Sequence, residues 1–190
     1  YFKKLINTLE LKGIKIIFKI QKKPNGLPEA FKIGKKFIGN SAVTLILGDN
    51  IFYNKNLGKI LQKYLLDINN ASIFVKKVKN PNDFGVITKI KKRIHIQEKP
   101  KKPKSRNAIT GLYFFPNDVC KFASFLVPSS RGETEITDLI KKYIDQSKVN
   151  IVNLKNTIWL DTGTPERLLK ASNLVYKLKK QKGLSVGNLK

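Results

Sequence analysis

The sequence is poor in several residue types, and each shortage excludes a class of protein. Its one cysteine, Cys120, excludes an internal disulfide, so we expect a reducing cytoplasm. Its one histidine, His95, lacks the partner residues that a catalytic triad or a zinc site needs. We therefore interpret His95 as a surface residue of a hairpin and Cys120 as a small buried residue of a helix.

Long apolar runs and methionine are absent as well. No run approaches the roughly 18 apolar residues that span a bilayer. Residues 1–5 also lack the apolar core of a secretory signal, so we expect no membrane partner. A complete translation product begins with methionine, and Tyr1 is too large for the usual removal of that residue. We expect that the chain begins inside a longer protein.

Acidic residues are scarce, with 13 Asp and Glu against 38 Lys and Arg, which gives a net charge of +25. The first interpretation of such a charge is a polyanionic partner, for example nucleic acid. Only four of the basic residues are arginine, however, and nucleic-acid-binding proteins rely on the forked contacts of arginine. The lysines are also scattered along the chain. We favour a solvated, lysine-rich surface and no nucleic-acid partner, with a basic nucleic-acid-binding module as the alternative.

Hydrophobic patterns predict strands that alternate with helices. The apolar run at residues 43–47 predicts a strand buried on both faces, which is typical of a parallel sheet. Further strands are predicted at residues 14–20, 72–78, 86–90, 94–97, 108–115, 151–154 and 158–160. Helices are predicted at residues 1–11, 27–37, 57–68, 118–126, 136–144 and from 164 onward. In the last of these helices, the residues predicted to face inward are Leu168, Ala171, Val175 and Leu178. The alternation predicts one α/β domain over residues 1–190, a three-layer, Rossmann-like, mostly parallel sheet with flanking helices. The hairpin at 86–97 makes that sheet mixed.

Two aspartates follow predicted strands. Asp49 comes directly after Gly48 at the end of the 43–47 strand, and Asp161 follows the 158–160 strand and precedes Gly163. In open α/β sheets, ligands bind at the carboxyl ends of the strands. Two carboxylates that meet there suit Mg²⁺, which keeps several waters and binds substrate phosphates. The alternative is that Asp49 is a turn residue and Asp161 caps the turn that follows it.

Three further charged residues lie at a strand end or in a loop. Glu98 and Lys99 end the predicted hairpin, and the Lys99 ammonium can hold a phosphate as a point charge. Arg131 lies in a loop and can bind an anion through both arms of its guanidinium. The alternative for Glu98 and Lys99 is an ordinary surface pair before Pro100.

Seven segments occur in the order known from one enzyme family. They are residues 21–31 (QKKPNGLPEAF), 45–53 (LILGDNIFY), 84–86 (FGV), 98–100 (EKP), 108–115 (AITGLYFF), 128–138 (PSSRGETEITD) and 159–164 (WLDTGT). Together they resemble the glucose-1-phosphate thymidylyltransferases of the sugar nucleotidyltransferase superfamily. The LGDNIFY segment resembles the thymidylyl branch more than the uridylyl or adenylyl branches.

The resemblance implies the nucleotide-diphospho-sugar transferase fold and a Mg²⁺-dependent transfer from dTTP to glucose 1-phosphate, giving dTDP-glucose and pyrophosphate. It also implies a homotetramer in the full-length protein. By position it implies Mg²⁺ ligands at Asp49 and Asp161, thymine-side contacts at Gln21 and Gly26, sugar contacts at Gly85, Glu98 and Ile109, and sugar-phosphate contacts at Lys99 and Arg131. A related nucleotidyltransferase that uses another base or sugar is the alternative.

The sequence departs from the family pattern at both ends. The family signature G-x-G-T-R-x-x-P-x-T, which binds the nucleotide triphosphate, does not occur, and the match fades after Gly183. Asn107 stands where an aromatic residue is common, and the turn of the 86–97 hairpin is short. A sheet that lacks its first strand exposes an unpaired edge. We therefore expect the isolated chain to be inactive and poorly stable.

Overall fold

The computed structural model describes residues 13–91 and 93–182, so the helix predicted at residues 1–11 lies outside the described residues. The helices are α1 (Glu29–Ile38), α2 (Leu57–Leu65), α3 (Val119–Ser124), α4 (Ile136–Asp145) and α5 (Pro165–Lys182). The strands are β1 (Val43–Ile46), β2 (Asn50–Tyr53), β3 (Ala71–Lys77), β4 (Val86–Ile90), β5 (Arg93–Gln97), β6 (Asn107–Phe115), β7 (Val149–Asn153) and β8 (Ile158–Asp161). Elements were therefore predicted at most of these positions, but β2 was missed.

The main sheet is built around β6, the longest of these strands. Its order is β5-β4-β6-β3-β7, and β1 also pairs with β6. One edge of β6 pairs with β3, and the other edge is shared by β4 near its start and by β1 near its end. The sheet is mixed and has flanking helices, as predicted.

The prediction that the sheet is mostly parallel is wrong for the described residues. There β3 and β7 form the parallel pair, whereas the pairs that involve β1, β4, β5 and β6 are antiparallel. The run that suggested parallel burial, β1, has alternate residues exposed, with 57% of Ile46 accessible. Among the described residues β1 pairs with β6 alone, and its apolar composition does not reflect burial on both faces.

The strands that are buried on both faces are β3 and β6, and their alternate residues enter two separate cores. On one face, Ile73 of β3 and Phe115 of β6 pack with α1, α3 and α4, where Tyr143 is fully buried. On the other face, Phe74 and Phe114 pack beneath α2. Cys120 is buried in the first of these cores, as predicted, and His95 is exposed on β5.

Two other predictions for apolar segments are wrong. Residues 14–20 form no strand, and their side chains are exposed, including 83% of Ile20. Alternating β-branched residues favour a strand, but this local preference alone does not form one. In α5, Leu168 is 53% exposed whereas Ala171 is buried, so the inward face begins one turn later than predicted.

Directly after β1, the chain forms a second, two-stranded sheet. Strand β2 pairs antiparallel with β8, and Asn50 lies opposite Asp161. Thr162 anchors the end of this pairing, because its N–H and its hydroxyl both donate to the carbonyl of Asp49 at 2.8 Å. This small sheet brings together two segments that are more than a hundred residues apart.

No described helix is long and apolar enough to cross a membrane.

Candidate functional site

The candidate site lies where two strands leave a gap along one edge of β6. Strand β1 ends its pairing with the N–H of Leu47, which donates to the carbonyl of Gly111 at 2.8 Å. Strand β4 begins its pairing with the carbonyl of Gly85, which accepts from the N–H of Ile109 at 2.7 Å. Thr110 lies between them and donates its hydroxyl to the carbonyl of Phe74 on the opposite neighbour, β3. The edge of β6 at Ile109–Gly111 therefore lines an open cavity.

Asp49 and Asp161 meet at one side of this cavity. A methyl group on Gly163 would lie 3.1 Å from Asp161 Oδ1 and 3.2 Å from Asp49 Oδ2, so both carboxylates face the same small space. The sequence predicted this meeting at the carboxyl edge of a parallel sheet. The cause is different, because the antiparallel pairing of β2 with β8 brings the two residues together.

Asn50 holds Asp49 in place, and sequence reasoning missed this role. Asn50 Nδ2 donates to Asp49 Oδ1 at 2.8 Å, while Asn50 Oδ1 accepts from the Gly111 N–H at 3.0 Å and from Trp159 Nε1 at 2.6 Å. One amide therefore links the first carboxylate, the floor of the cavity and the strand that carries Asp161. An asparagine next to the aspartate was the available signal, because its amide can donate and accept at the same time.

Arg167, in the first turn of α5, pairs with the second carboxylate. Its Nη1 lies 3.0 Å from Asp161 Oδ2, and its Nη2 pairs with Asp83 in the loop before β4. Its guanidinium also lies 5.3 Å from the centre of the Phe84 ring. Sequence reasoning missed Arg167, although it is one of only four arginines in the chain.

Glu98 places one buried carboxylate oxygen in the cavity wall. Its Oε2 has no hydrogen-bond partner in the described part of the chain. Burial, and then the charge of Glu135, raises the pKa of Glu98 above its ordinary value, while Thr137, Lys99 and Arg131 act in the opposite direction. A buried acceptor without a partner costs free energy. The cavity therefore offers a carboxylate oxygen that a ligand hydroxyl can satisfy.

Two basic residues lie beside Glu98. Arg131 Nη1 is 3.6 Å from Glu98 Oε1 and 3.4 Å from Glu135 Oε1, so one guanidinium arm serves two acids. Lys99 has a φ angle of +39°, a left-handed conformation that residues other than glycine adopt at a cost. Its N–H donates to the carbonyl of Phe84, which fixes this turn against the loop before β4. The strained backbone carries an exposed ammonium into the cavity lining.

The structure brings seven of the nine predicted site residues to this one cavity. They are Asp49, Gly85, Glu98, Lys99, Ile109, Arg131 and Asp161. Gln21 and Gly26 lie outside the lining and are joined to each other, since Gln21 Nε2 donates to the Gly26 carbonyl at 3.1 Å. They are tied to the cavity wall indirectly, because the N–H of Thr134, a lining residue, donates to the carbonyl of Asn25 at 2.9 Å.

The carboxylate pair suits a cation that brings other ligands with it. Among residues 13–91 and 93–182 there is no cluster of three or more His, Cys, Asp or Glu side chains that could hold a metal ion alone. Mg²⁺ does not require such a cluster, because it binds through one or two carboxylates and completes its shell with water and substrate phosphates. Asp49 and Asp161 fit that requirement.

Solved structures define the class of the fold. A Bacillus anthracis protein whose crystal structure holds sucrose superposes with a TM-score of 0.81 at 29% identity, over 99% of this chain and 75% of that one. A UDP-glucose pyrophosphorylase solved with UDP-glucose gives a TM-score of 0.73 at 24% identity, over 83% of this chain and 64% of that one. The mixed sheet and its flanking helices are those of the α/β nucleotide-sugar transferase fold.

The family follows from the sequence comparison. The nucleotidyl transferase family model matches residues 1–177, and the chain belongs to that family. The glucose-1-phosphate thymidylyltransferase of Neisseria meningitidis is 40% identical over an alignment of 191 positions that covers 99% of this chain and 66% of the relative. That of Mycolicibacterium smegmatis is 40% identical over 98% of this chain and 65% of the relative. The chain thus spans just under two thirds of these relatives.

Proposed function

We propose that this chain is part of a glucose-1-phosphate thymidylyltransferase. In that reaction a phosphate oxygen of glucose 1-phosphate attacks the α-phosphorus of dTTP in line, pyrophosphate leaves, and dTDP-glucose forms. The observation that carries the proposal is one cavity that holds both a converging carboxylate pair and a buried, unpartnered Glu98 oxygen. Because the chain spans part of its relatives, we propose the activity for the protein that contains it.

The sugar occupies the Glu98 side of the cavity. The free Oε2 of Glu98 accepts a hydrogen bond from a sugar hydroxyl, which removes the cost of leaving that oxygen buried and unpaired. A methyl group on Gly85 would lie 3.4 Å from this oxygen and 3.0 Å from Ile109 Cδ1, so Gly85 and Ile109 flank the same space. A methyl group there would also lie 2.8 Å from Thr137 Cγ2, so the absence of a side chain at Gly85 permits the close packing of this wall.

Lys99 and Arg131 neutralise the sugar phosphate. Phosphoryl and nucleotidyl transfers need positioning and charge neutralisation more than covalent help from the protein. Arg131 is shared between Glu98 and Glu135 at distances of 3.4 to 3.6 Å, contacts that a phosphate with its stronger charge can displace. The residue therefore moves from holding two acids to holding the substrate.

Asp49 and Asp161 would hold the Mg²⁺ ion. A bound ion would supply positive charge that neutralises and orients the nucleotide phosphates. The residues of the chain supply the positions: Asn50 holds the Asp49 carboxylate, and the Gly163 N–H donates to Asp161 Oδ1 at 2.8 Å. One oxygen of each aspartate is held in this way. The other oxygen of Asp161 accepts from Arg167 Nη1 at 3.0 Å, so a cation at this position would compete with Arg167 for it.

Gln21 and Gly26 form the thymine side in this proposal. Gln21 Nε2 now donates to Gly26 and to Glu29 Oε2, both at 3.1 Å, so an incoming base exchanges for one of these exposed contacts. Competition of UTP and ATP against dTTP tests the choice of base. We further propose that the complete protein is a cytoplasmic homotetramer, which light scattering of the complete protein tests.

Binding of glucose 1-phosphate tests the sugar half of the proposal directly. We expect calorimetry or ligand-detected NMR to show binding to the chain, and we expect Glu98→Gln and Arg131→Gln to weaken it about tenfold or more, as for a lost hydrogen bond to a charged group. The matched control is Arg106→Gln, because Arg106 donates to the Val78 carbonyl and does not line the cavity. Equal binding by all four proteins would contradict the assignment.

A further inference from the structure

Arg167 joins the two halves of the cavity, although none of the roles assigned above needs it. Through Nη1 it holds Asp161 Oδ2 at 3.0 Å, and through Nη2 it holds Asp83. Asp161 belongs to the cation side, and Asp83 belongs to the loop that leads into Gly85 on the sugar side. The arginine side chain is 32% exposed and Asp161 is 19% exposed, so the pair with Asp161 is partly shielded from solvent.

The loop that Arg167 holds is one wall of the cavity. The guanidinium lies 5.3 Å from the Phe84 ring centre, and Phe84 packs on Trp159 with ring centres 5.0 Å apart. The carbonyl of the next residue, Gly85, accepts a hydrogen bond from the N–H of Ile109. A shift of this loop therefore moves the wall next to the sugar position. Arg167 therefore fixes the Asp83–Phe84 loop to the strand that carries Asp161.

A cation at the carboxylate pair and the guanidinium at Asp161 compete for the same negative charge. Asp161 Oδ1 already accepts from the Gly163 N–H, and Oδ2 is the oxygen that Arg167 holds. A divalent ion bound to Asp161 places a second positive charge next to Arg167. The divalent ion and the Arg167 guanidinium would repel each other, because both would lie next to the Asp161 carboxylate. This site is partly shielded, so solvent screens the repulsion less than on an open surface.

We propose that Arg167 is a positioning residue that links cation binding at Asp161 to the position of the Asp83–Phe84 loop. Without a divalent ion, Arg167 neutralises Asp161 and holds the loop. With the ion bound, the contact between Arg167 and Asp161 weakens. Arg167 then still contacts Asp83 and Phe84, but it no longer ties their loop to the strand that carries Asp161. Linkage requires that the effect is reciprocal, so a held loop lowers the affinity for the ion. This inference rests on the proposed cation role of Asp161.

Titration of Mn²⁺ into the protein, followed by the relaxation of water protons, tests the competition without any measurement of activity. Mn²⁺ is the probe because carboxylate and water ligands suit it as they suit Mg²⁺. We expect Arg167→Gln to bind Mn²⁺ roughly two- to fivefold more tightly than the unsubstituted chain, since a partly exposed ion pair has been removed. Unchanged or weaker binding by Arg167→Gln overturns the proposal.

Two further variants separate this inference from the proposed function. Asp83→Asn releases the loop from Arg167 and leaves the Asp161 contact, so by reciprocity we expect a gain in Mn²⁺ affinity that is smaller than the gain in Arg167→Gln. An unchanged affinity in Asp83→Asn would show competition at Asp161 without coupling to the loop. Asp161→Asn tests the cation role itself and should bind Mn²⁺ at least tenfold more weakly. If Asp161→Asn binds normally, the cation assignment fails. If only the Arg167→Gln gain is missing, the coupling fails and the cation assignment stands.

Hydrogen exchange measures the loop itself. The N–H of Phe84 donates to the Pro81 carbonyl at 3.1 Å, so its exchange rate reports opening of the loop. We expect the Phe84 amide to exchange more slowly in metal-free protein than in protein with bound Mg²⁺. Mg²⁺ replaces Mn²⁺ in this experiment because it is diamagnetic. In Arg167→Gln the rate should be fast with or without Mg²⁺. A rate that Mg²⁺ lowers, or that Arg167→Gln does not change, overturns the coupling.

Discussion

Glu98 provides an acceptor for a ligand at a cost to the stability of the fold. Its carboxylate is partly buried and close to Glu135, and both effects favour the protonated form, so the pKa of Glu98 is raised in the folded protein. The folded state therefore holds this proton more tightly than the unfolded state does. By linkage, the stabilisation from the proton is complete below the unfolded pKa and is lost as pH rises through the folded pKa.

The raised pKa of Glu98 predicts how Glu98→Gln changes stability with pH. At a pH above the raised pKa of Glu98, Glu98→Gln should raise the melting temperature, because the amide has no charge to desolvate. The gain should shrink as pH falls towards and below the ordinary value of 4.5. Thermal melts of both proteins between pH 4 and pH 8 measure it, and the same variant should bind glucose 1-phosphate more weakly. A melting temperature that Glu98→Gln lowers equally at every pH would count against the assignment of the buried charge.

Lys99 allows a cleaner separation of backbone and side-chain effects. At a φ of +39°, a residue with a Cβ costs about 1 kcal/mol more than glycine does. Lys99→Gly should therefore be more stable than Lys99→Ala by about 1 kcal/mol in urea unfolding. Both variants lose the ammonium, so both should lose phosphate affinity to the same extent. If Ala and Gly unfold at the same urea concentration, the left-handed conformation at position 99 is not the one that the protein adopts.

Elements could be predicted wherever a local pattern and the tertiary environment agree. The hairpin β4–β5, the strand β6 and the helix α4 were predicted within a few residues, since their apolar periods match the faces they bury. Residues 14–20 show the opposite case, because the alternation of β-branched residues is local information and strand formation also depends on the tertiary environment. Composition alone likewise could not distinguish β1, which pairs antiparallel with β6, from a central parallel strand.

The site was predicted better than the element that builds it. Asp49 and Asp161 were expected to converge, and they do, but β2 was not predicted and its pairing with β8 is the cause. The pairing depends on a register between residues distant in sequence, which no local period encodes. The same holds for Arg167, whose partners Asp83 and Asp161 come from two different parts of the chain.

The loop before α1 and the loop before α4 meet at Gly26, and this contact carries the next prediction. A methyl group on Gly26, at a φ of +100°, would lie 2.0 Å from the carbonyl oxygen of Thr134. That atom belongs to the backbone and cannot rotate away, so Gly26→Ala should destabilise the chain by about 3 kcal/mol or more.

The control for Gly26 is Gly132, which also has a positive φ but no atom within 4 Å of the added methyl group. Gly132→Ala should therefore cost only the backbone penalty, about 1 kcal/mol. Urea unfolding of the two variants measures the difference. Equal losses would show that the two loops are not in contact at Gly26.

Charge is distributed very unevenly over the molecule. Six of the 13 acidic residues line the cavity beside β6, although the net charge of the chain is +25. They are Asp49, Asp83, Glu98, Glu133, Glu135 and Asp161. Lys99 and Arg131 are the basic residues in the lining. An acidic cavity repels a nucleotide triphosphate unless a divalent cation accompanies it, so the distribution favours a cation-dependent site there.

The central claim is that Asp49 and Asp161 jointly hold the cation of a nucleotidyl transfer. The most direct measurement is Mg²⁺-dependent formation of dTDP-glucose from dTTP and glucose 1-phosphate by the protein that contains this chain. Asp161→Asn and Asp49→Asn should each lower turnover at least about a hundredfold while the melting temperature stays close to that of the unsubstituted protein. Asp138→Asn is the control, because Asp138 pairs with Lys141 on α4 and does not line the cavity. Near-normal turnover by either of the first two variants would contradict the account.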